Sequence, residues 1–170
     1  MSNNVVLIGF MGVGKGSTAR KLAKKMDRFC IDTDDLIVSF ENRTLKKIFK
    51  KGGEPYFRGL EQKIANWLEN SVSNTIISCG GGFYKVDNLS KIGKVVYLKA
   101  SFEWIYERLK THPKTKAKFK KRPLFKDKQK AKELYDSRYK LYEESAHFTI
   151  EMEGKSSDQI LSEIINIIKK

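Results

Sequence analysis

Five short apolar runs recur along the chain and are separated by longer segments with helical spacing. The runs occupy residues 5–9, 29–31, 75–78, 94–98 and 147–152. Continuous apolar runs of this length are typical of strands buried on both faces, and the long crossovers between them favour parallel pairing. The pattern therefore predicts an α/β fold of three layers, with a five-stranded parallel sheet between helices.

Helical spacing is clearest after the first run and near the end of the chain. Residues 17–26 place small and apolar side chains on one face, and residues 156–168 do the same with isoleucines and a leucine. Ser156 or Ser157 has the side chain of a helix N-cap for the second of these helices.

Two segments depart from the simple alternation of strands and helices. Residues 44–68 have helical spacing with no strand between them, and residues 111–123 have almost no periodicity. Insertions in such sheets commonly bind substrate or act as lids. We expect one domain over 1–170, with a small helical substrate-binding insertion at about 33–61 and a lid at about 111–124.

The composition is that of one globular domain. The chain has 170 residues, of which 40% are hydrophobic and 32% charged. Its apolar stretch at residues 5–11 is too short to span a bilayer, and no secretory signal pattern precedes it. Cys30 and Cys79 have neither metal-ligand spacing nor the density of a disulfide framework. These features predict a cytoplasmic protein that does not bind membranes.

A net charge of +14 is compatible with nucleic acid, a membrane surface or a small anionic substrate. Much of the excess lies between residues 110 and 132, where two phenylalanines, Phe119 and Phe125, stand among the basic residues and do not make a row of stacking platforms for bases. This arrangement favours a lid that closes over phosphates, and no nucleic acid partner is expected. Most of these lysines, taken singly, are expected to be solvated.

Residues 9–15, GFMGVGK, match the P-loop pattern between a predicted strand and a predicted helix. Glycines there let successive backbone N–H groups turn toward an anion at the positive end of the helix, and Lys15 adds a full charge on the β and γ phosphates. The motif predicts ATP binding by Gly12, Val13, Gly14, Lys15, Gly16 and Ser17.

Gly16 stands where this motif normally has a Ser or Thr whose hydroxyl binds Mg²⁺. The hydroxyl of Ser17 is displaced by one residue, which rotates it by about 100° on a helix. Because Mg²⁺ takes few protein ligands and keeps several waters, activity is expected to persist with weaker metal binding.

Carboxylates follow the second predicted strand. Asp32 and Asp34 share one side if the backbone there is extended, at the edge of the sheet where ligands of α/β folds bind. One could hold Mg²⁺ while the other accepts hydrogen bonds from a substrate hydroxyl and helps remove its proton. The alternative is structural, with Asp34 or Asp35 capping a helix that starts near Leu36.

Two further features suggest an anionic substrate. Arg58 lies three residues before Glu61 in a helical segment, where Glu61 could orient the guanidinium for a carboxylate; a surface ion pair is the alternative. Residues 80–82 are three glycines after a predicted strand, which permits close approach of a ligand to backbone N–H groups.

Taken together, the motifs resemble those of the shikimate kinases over essentially the whole chain. The resemblance is carried by GFMGVGKGS from residue 9, DTD at 32–34, FR at 57–58 and GGG at 80–82. It continues with KRPLF around Arg122 and SRYKLYEESA around Arg138. Gly16 is the one clear departure from the family pattern.

The resemblance implies a three-layer α/β/α P-loop kinase fold and transfer of the γ-phosphoryl group of ATP to the 3-hydroxyl of shikimate, with Mg²⁺, in aromatic amino acid biosynthesis. It implies a monomer whose partners are ATP and shikimate. The implied site residues are Asp34, Arg58, Gly80, Gly81 and Arg138 for shikimate, Lys15 and Arg122 for the transferring phosphoryl group, Asp32 and Ser17 for the metal, and Arg108 and Lys155 for the nucleotide. Lys15, Asp34 and Arg122 are the expected catalytic residues.

Two other readings of the motifs stay open at this point. Another small P-loop kinase, acting on gluconate or a nucleoside monophosphate, would share the loop and the lid, although the arginines and the glycine run favour shikimate. A non-catalytic nucleotide or nucleic-acid binding module would fit the charge and Gly16. The guanine signature Asn-Lys-x-Asp of GTPases is absent from the sequence.

Overall fold

Five parallel strands form one sheet in the order β2-β3-β1-β4-β5. The structure, a computed structural model, describes residues 2–114, 116, 117, 120 and 123–170. The strands are β1 (Val5–Ile8), β2 (Cys30–Asp32), β3 (Ile76–Ser78), β4 (Lys94–Lys99) and β5 (Phe148–Glu151). All five predicted strands are confirmed, with ends that differ by at most one residue. Phe29, predicted to begin β2, precedes the strand and is exposed.

Helices flank the sheet and complete the predicted three-layer architecture. Within the described residues they are α1 (Lys15–Lys25), α2 (Thr33–Glu41), α3 (Leu45–Ser71), α4 (Leu89–Ile92), α5 (Phe102–Lys110), α6 (Lys128–Ser145) and α7 (Ser157–Ile168), with 3₁₀ turns at Phe83–Lys85 and Pro123–Lys126. None of the helices described is both long and apolar enough to cross a bilayer.

Strand β1 is the centre of the sheet and of the core. It pairs with β3 on one side and β4 on the other, and all four of its side chains are buried. The edge strand β5 instead alternates, with Ile150 buried between the exposed Thr149 and Glu151. Because β1 is central, the loop at its carboxyl end opens in the middle of one edge of the sheet.

Local capping sets the ends of α1 and α7. Gly14 adopts a left-handed conformation (φ 106°) and starts α1 at Lys15, two residues before the predicted start. Ser156 caps α7, and Gln159 completes a capping box by accepting a hydrogen bond from the Ser156 N–H. Of the two serines predicted as caps, Ser156 is therefore the one used.

Helices α2 and α3 enclose a small core of their own, separate from the main one. Its buried members are Ile37, Ile48, Phe57 and Leu60. The predicted single helix over 44–68 is interrupted at Gly53, whose φ of 72° and ψ of −176° are not helical. Pro55 lies just beyond the interruption, where its missing N–H and fixed φ suit a first helical turn.

The predicted lid at 111–124 falls partly outside the described residues, because 115, 118, 119, 121 and 122 are not among them. Arg122, a predicted catalytic residue, is thus outside the described residues. The turn that follows is anchored by Phe125, which is buried and packs its ring against Phe10 and Phe102.

Candidate active site

The loop after β1 has the backbone geometry of an anion cradle. Gly12 and Gly14 have φ values of 88° and 106°, which L side chains rarely adopt. A Cβ at Gly12 would also lie 2.6 Å from Leu109 Cδ1. No described side chain caps α1, so the N-terminal end of this helix is suited to an anion. Val13 is fully buried, so it can offer a ligand only its backbone.

Lys15 is held inside this loop. Its Nζ donates hydrogen bonds to the backbone oxygens of Gly9 at 2.7 Å and Phe10 at 3.0 Å, and the residue is buried. The ammonium is therefore placed at the loop itself, which is the position predicted for a phosphate-binding lysine.

Arg108 reaches the same loop from α5. It donates a hydrogen bond to Gly12 O at 2.9 Å, and its guanidinium lies 5.6 Å from the ring centre of Trp104. Both side chains line a surface cleft of about 500 Å³. Burial lowers the pKa of Arg108, but arginine stays charged at any pH of interest. Lys155, the other predicted nucleotide residue, instead pairs with Glu163 at 2.7 Å.

Asp32 and Asp34 are arranged differently from the prediction. Asp32 is the N-cap of α2, and its Oδ1 accepts hydrogen bonds from the N–H groups of Asp34 (3.0 Å) and Asp35 (3.1 Å). The expected extended backbone through Asp34 is wrong, as is the alternative cap at Asp34 or Asp35. The reason is that the chain turns helical at Thr33, directly after the strand.

Asp34 lies against the first glycine of the 80–82 run. A Cβ at Gly80 would be 2.5 Å from Asp34 Oδ1, so only glycine allows this approach. Burial, then the negative charges of Asp32 and Glu61, raise the pKa of Asp34 to about 6, against the opposing charge of Lys15. Thr33, which the sequence analysis missed, is fully buried and accepts a hydrogen bond from Gly80 N at 2.9 Å.

Two arginines approach the other glycines of the run. A Cβ at Gly82 would overlap the guanidinium of Arg58, and one at Gly81 would lie 3.5 Å from an Nη of Arg138. Arg58 donates to Glu61 at 2.5 Å and to Glu54 at 3.1 Å, which confirms the predicted pair with Glu61. Arg138 is buried on α6.

Two more side chains support this arrangement. Glu61 is only 1% exposed, and its Oε1 has no partner within the described part of the chain. Burial raises the pKa of Glu61, while the hydrogen bond from Arg58 acts in the opposite direction. Tyr142 donates to Gly81 O at 2.5 Å. It was missed from the sequence, although its spacing of four residues from Arg138 places both on one helix face.

The described residues contain no group of three or more His, Cys, Asp or Glu side chains able to hold a metal. Mg²⁺ in an ATP site typically takes one or two carboxylates together with phosphate oxygens and waters, and Asp32, at the carboxyl end of β2, is a carboxylate of this kind. Ser17, one of the two predicted metal ligands, is exposed on α1.

The two halves of the site adjoin, since a Cβ at Gly81 would be only 3.9 Å from Met11 N in the phosphate loop. A cradle for phosphate thus lies beside a carboxylate and two guanidinium groups, at the carboxyl ends of parallel strands. Fold and site together define a P-loop phosphotransferase.

Comparison with known proteins gives the particular family. The family model for shikimate kinase matches residues 11–169. A shikimate kinase of Helicobacter hepaticus is 36% identical over 98% of this chain and 96% of the relative. A solved structure of the Acinetobacter baumannii shikimate kinase in complex with shikimate has a TM-score of 0.85 and 31% identity, covering 99% of this chain and 94% of that one. The Aquifex aeolicus shikimate kinase has a TM-score of 0.79 at 29% identity, over 98% of this chain and 96% of that one. The chain belongs to the shikimate kinase family, which confirms the resemblance found in its motifs.

Proposed function

We propose that this chain transfers the γ-phosphoryl group of ATP to the 3-hydroxyl of shikimate, giving shikimate 3-phosphate and ADP on the route to chorismate. One observation carries the proposal: Asp34, Arg58 and Arg138 converge on the glycine run 80–82 beside the phosphate loop. Shikimate offers one carboxylate and a set of ring hydroxyls, which these groups can bind together.

Arg58 and Arg138 bind the substrate carboxylate in this proposal. Guanidinium groups form paired, charge-assisted hydrogen bonds with carboxylates, and the backbone of Gly80 and Gly81 lets the ring approach closely. The contact from Glu61 fixes Arg58 before substrate arrives. Asp34 then binds ring hydroxyls at the opposite end of the run.

Asp34 also accepts the proton of the 3-hydroxyl as its oxygen attacks the γ-phosphorus and the bond to the leaving ADP breaks. A carboxyl group with a pKa of about 6 is largely ionised at neutral pH and still basic enough for this step. Phosphoryl transfer depends mainly on positioning and charge neutralisation. Lys15 supplies charge at the loop, and Arg122 does so from the lid by resemblance to the family alone.

The nucleotide is bound by the phosphate loop and by α5. Gly12, Val13, Gly14, Lys15, Gly16 and Ser17 surround the phosphates, with Arg108 on the adenine side and Lys155 as a further candidate. Mg²⁺ would be held near Asp32, with Ser17 the weaker candidate, and when bound it neutralises phosphate charge during transfer. Asp32 suits this function because both capping hydrogen bonds end on Oδ1, so that capping does not use the second carboxylate oxygen, Oδ2.

We further propose a monomer in the cytoplasm, with residues 33–61 as the substrate-binding insertion and 111–124 as a lid that excludes water. The separate small core of α2 and α3 supports the insertion. Cys30 and Cys79 are both free thiols, which suits a reducing compartment.

An ADP-release assay with shikimate, gluconate and nucleoside monophosphates in parallel tests the function. We expect turnover with shikimate alone. Turnover with another acceptor and none with shikimate would refute the proposal. Mass measurement of the product would locate the phosphate on the acceptor.

A further inference from the structure

The hydroxyl of a nearly buried serine lies beside the position where this phosphate loop has glycine in place of serine or threonine. An ideal Cβ at Gly16 would be 3.9 Å from Ser78 Oγ. Ser78 is the last residue of β3 and is only 2% exposed. Its hydroxyl makes no hydrogen bond to any residue that the structure describes. The Oγ atom is not among the fully enclosed, unpartnered side-chain atoms of the described residues, so a ligand or a water can reach it and supply the missing hydrogen-bond partner.

Ser78 also lies next to the carboxylate proposed for Mg²⁺. In the sheet, Ser78 is the register partner of Asp32 on the neighbouring strand. Side chains of register partners project to the same face of a sheet. Asp32, Ser78 and the open side of Gly16 are therefore grouped at the carboxyl end of β2 and β3.

We propose that Ser78 supplies the hydroxyl contact to the Mg²⁺ of the bound nucleotide, directly or through one of its waters, which a serine or threonine at position 16 would otherwise make. Mg²⁺ accepts neutral oxygen ligands and retains several waters, so a hydroxyl from the adjacent strand can serve the same ion. This inference rests on the proposed function only in requiring a site for a magnesium nucleotide.

The structure also leaves room to restore the usual hydroxyl. The nearest atom to a Cβ at Gly16 is an Nη of Arg20, at 3.3 Å. Arg20 is exposed and long, so its end can shift by the few tenths of an ångström required. A Gly16→Ser variant is therefore expected to fold.

The test compares ADP affinity with and without Mg²⁺ by calorimetry, which requires no acceptor and no turnover. Ser78→Ala is expected to lower the gain in affinity given by Mg²⁺ by about 3- to 10-fold, the worth of one lost polar contact. Gly16→Ser in the Ser78→Ala background is expected to restore it. Ser78→Cys, which keeps the side-chain volume, is expected to behave like Ser78→Ala.

Thr75→Val is the matched control. It removes the hydroxyl of a buried residue directly before the start of the same strand, where Thr75 Oγ1 donates to Ser73 O at 2.9 Å. This variant should lower thermal stability and leave the Mg²⁺ effect on ADP affinity unchanged. If Ser78→Ala and Ser78→Cys both keep the parent's Mg²⁺ effect, or if Thr75→Val loses it equally, the inference is wrong. Loss of shikimate turnover with an intact Mg²⁺ effect on ADP would instead count against the proposed function.

Discussion

Asp34 combines a proposed chemical task with a cost to the fold. The pKa of Asp34 is about 6 in the folded protein, whereas the ordinary pKa of an aspartate is 3.8. The folded protein therefore favours the protonated carboxyl. The contribution of the protonated Asp34 to the free energy of unfolding is fully present below pH 3.8, and it is lost as the pH rises through about 6. At neutral pH the ionised side chain is therefore suited to the proposed proton removal and unfavourable for folding.

Asp34→Asn should separate these effects. We expect kcat to fall by about 10²- to 10⁴-fold, because the proton acceptor is gone. The free energy of unfolding at pH 8 should rise by about 1–3 kcal/mol, and this gain should disappear below about pH 4. Initial rates and urea unfolding at several pH values provide the measurements. In the parent, kcat/KM should rise with pH through about 6.

Asp35→Asn is the control for Asp34→Asn. Asp35 lies in the same first turn of α2, but its side chain is exposed. It should leave both kcat and the pH dependence of stability close to those of the parent. Equal loss of activity in the two variants would show that the charge of this helix end matters and not the position of Asp34.

Arg58 also links binding to stability, through its contact with the buried Glu61. Arg58→Ala should raise the KM for shikimate by at least about 10-fold, through loss of charge-assisted hydrogen bonds, and leave the KM for ATP unchanged. It should also cost about 1–3 kcal/mol of stability, because Glu61 loses its partner. Steady-state kinetics and thermal unfolding report the two effects.

A second substitution at Glu61 separates the two effects. Arg58→Ala with Glu61→Gln should recover part of the lost stability, since no buried charge remains unpaired, but not the affinity for shikimate. Glu54→Gln, which removes the exposed partner of Arg58, should change stability by less than about 0.5 kcal/mol. Recovery of shikimate affinity in the double variant would refute the carboxylate-binding role of Arg58.

At the scale of elements, the interruption of α3 makes a distinct prediction for two glycines. Gly53 has a backbone conformation that is essentially restricted to glycine, whereas Gly59 is helical, exposed and has no atom within 4 Å of an added Cβ. Gly53→Ala should destabilise the protein by about 1–3 kcal/mol. Gly59→Ala should stabilise it by up to about 1 kcal/mol, the usual gain in a helix interior.

The midpoint of urea unfolding measures both glycine variants, each being the control for the other. Opposite shifts are expected from the same chemical change in the same helix. If both variants shift the midpoint in one direction, the break at Gly53 is not a feature of the folded protein in solution. The interruption at Gly53 separates Ile48 from Phe57 along α3, and both residues belong to the small core shared with α2.

At the scale of the whole molecule, the net charge of +14 is the property that most needs a test. We expect a mixed-sequence single-stranded oligonucleotide at micromolar concentration to leave the KM for ATP unchanged at physiological salt. The reason is that the basic segment contains two phenylalanines, of which Phe125 is buried, and so does not offer a row of aromatic stacking platforms. Competition with ATP that disappears steeply as salt is raised would instead indicate a nucleic-acid site. Polyglutamate of similar charge is the control for nonspecific attraction.

Local patterns along the chain were enough to predict the strand content, the parallel sheet and the family. A strand that is buried on both faces needs apolar side chains at successive positions, so a continuous apolar run predicts such a strand. Val5–Ile8 is an example, since all four residues are buried. The phosphate loop could also be predicted from the sequence, since its glycines and Lys15 lie within one short segment of the chain. Arg58 and Glu61 could be paired for the same reason, because helical spacing is a local property.

Which groups meet at the edge of the sheet could not be predicted from local patterns, because it depends on how distant elements pack. Asp34, Arg58 and Arg138 belong to three helices, and their convergence on residues 80–82 depends on how those helices pack. The cap at Asp32, which sequence placed on its neighbours, depends on where the strand ends and the helix begins. The proximity of Ser78 to Gly16 is likewise invisible along the chain, because contacts between distant residues are set by strand order and register and not by local spacing.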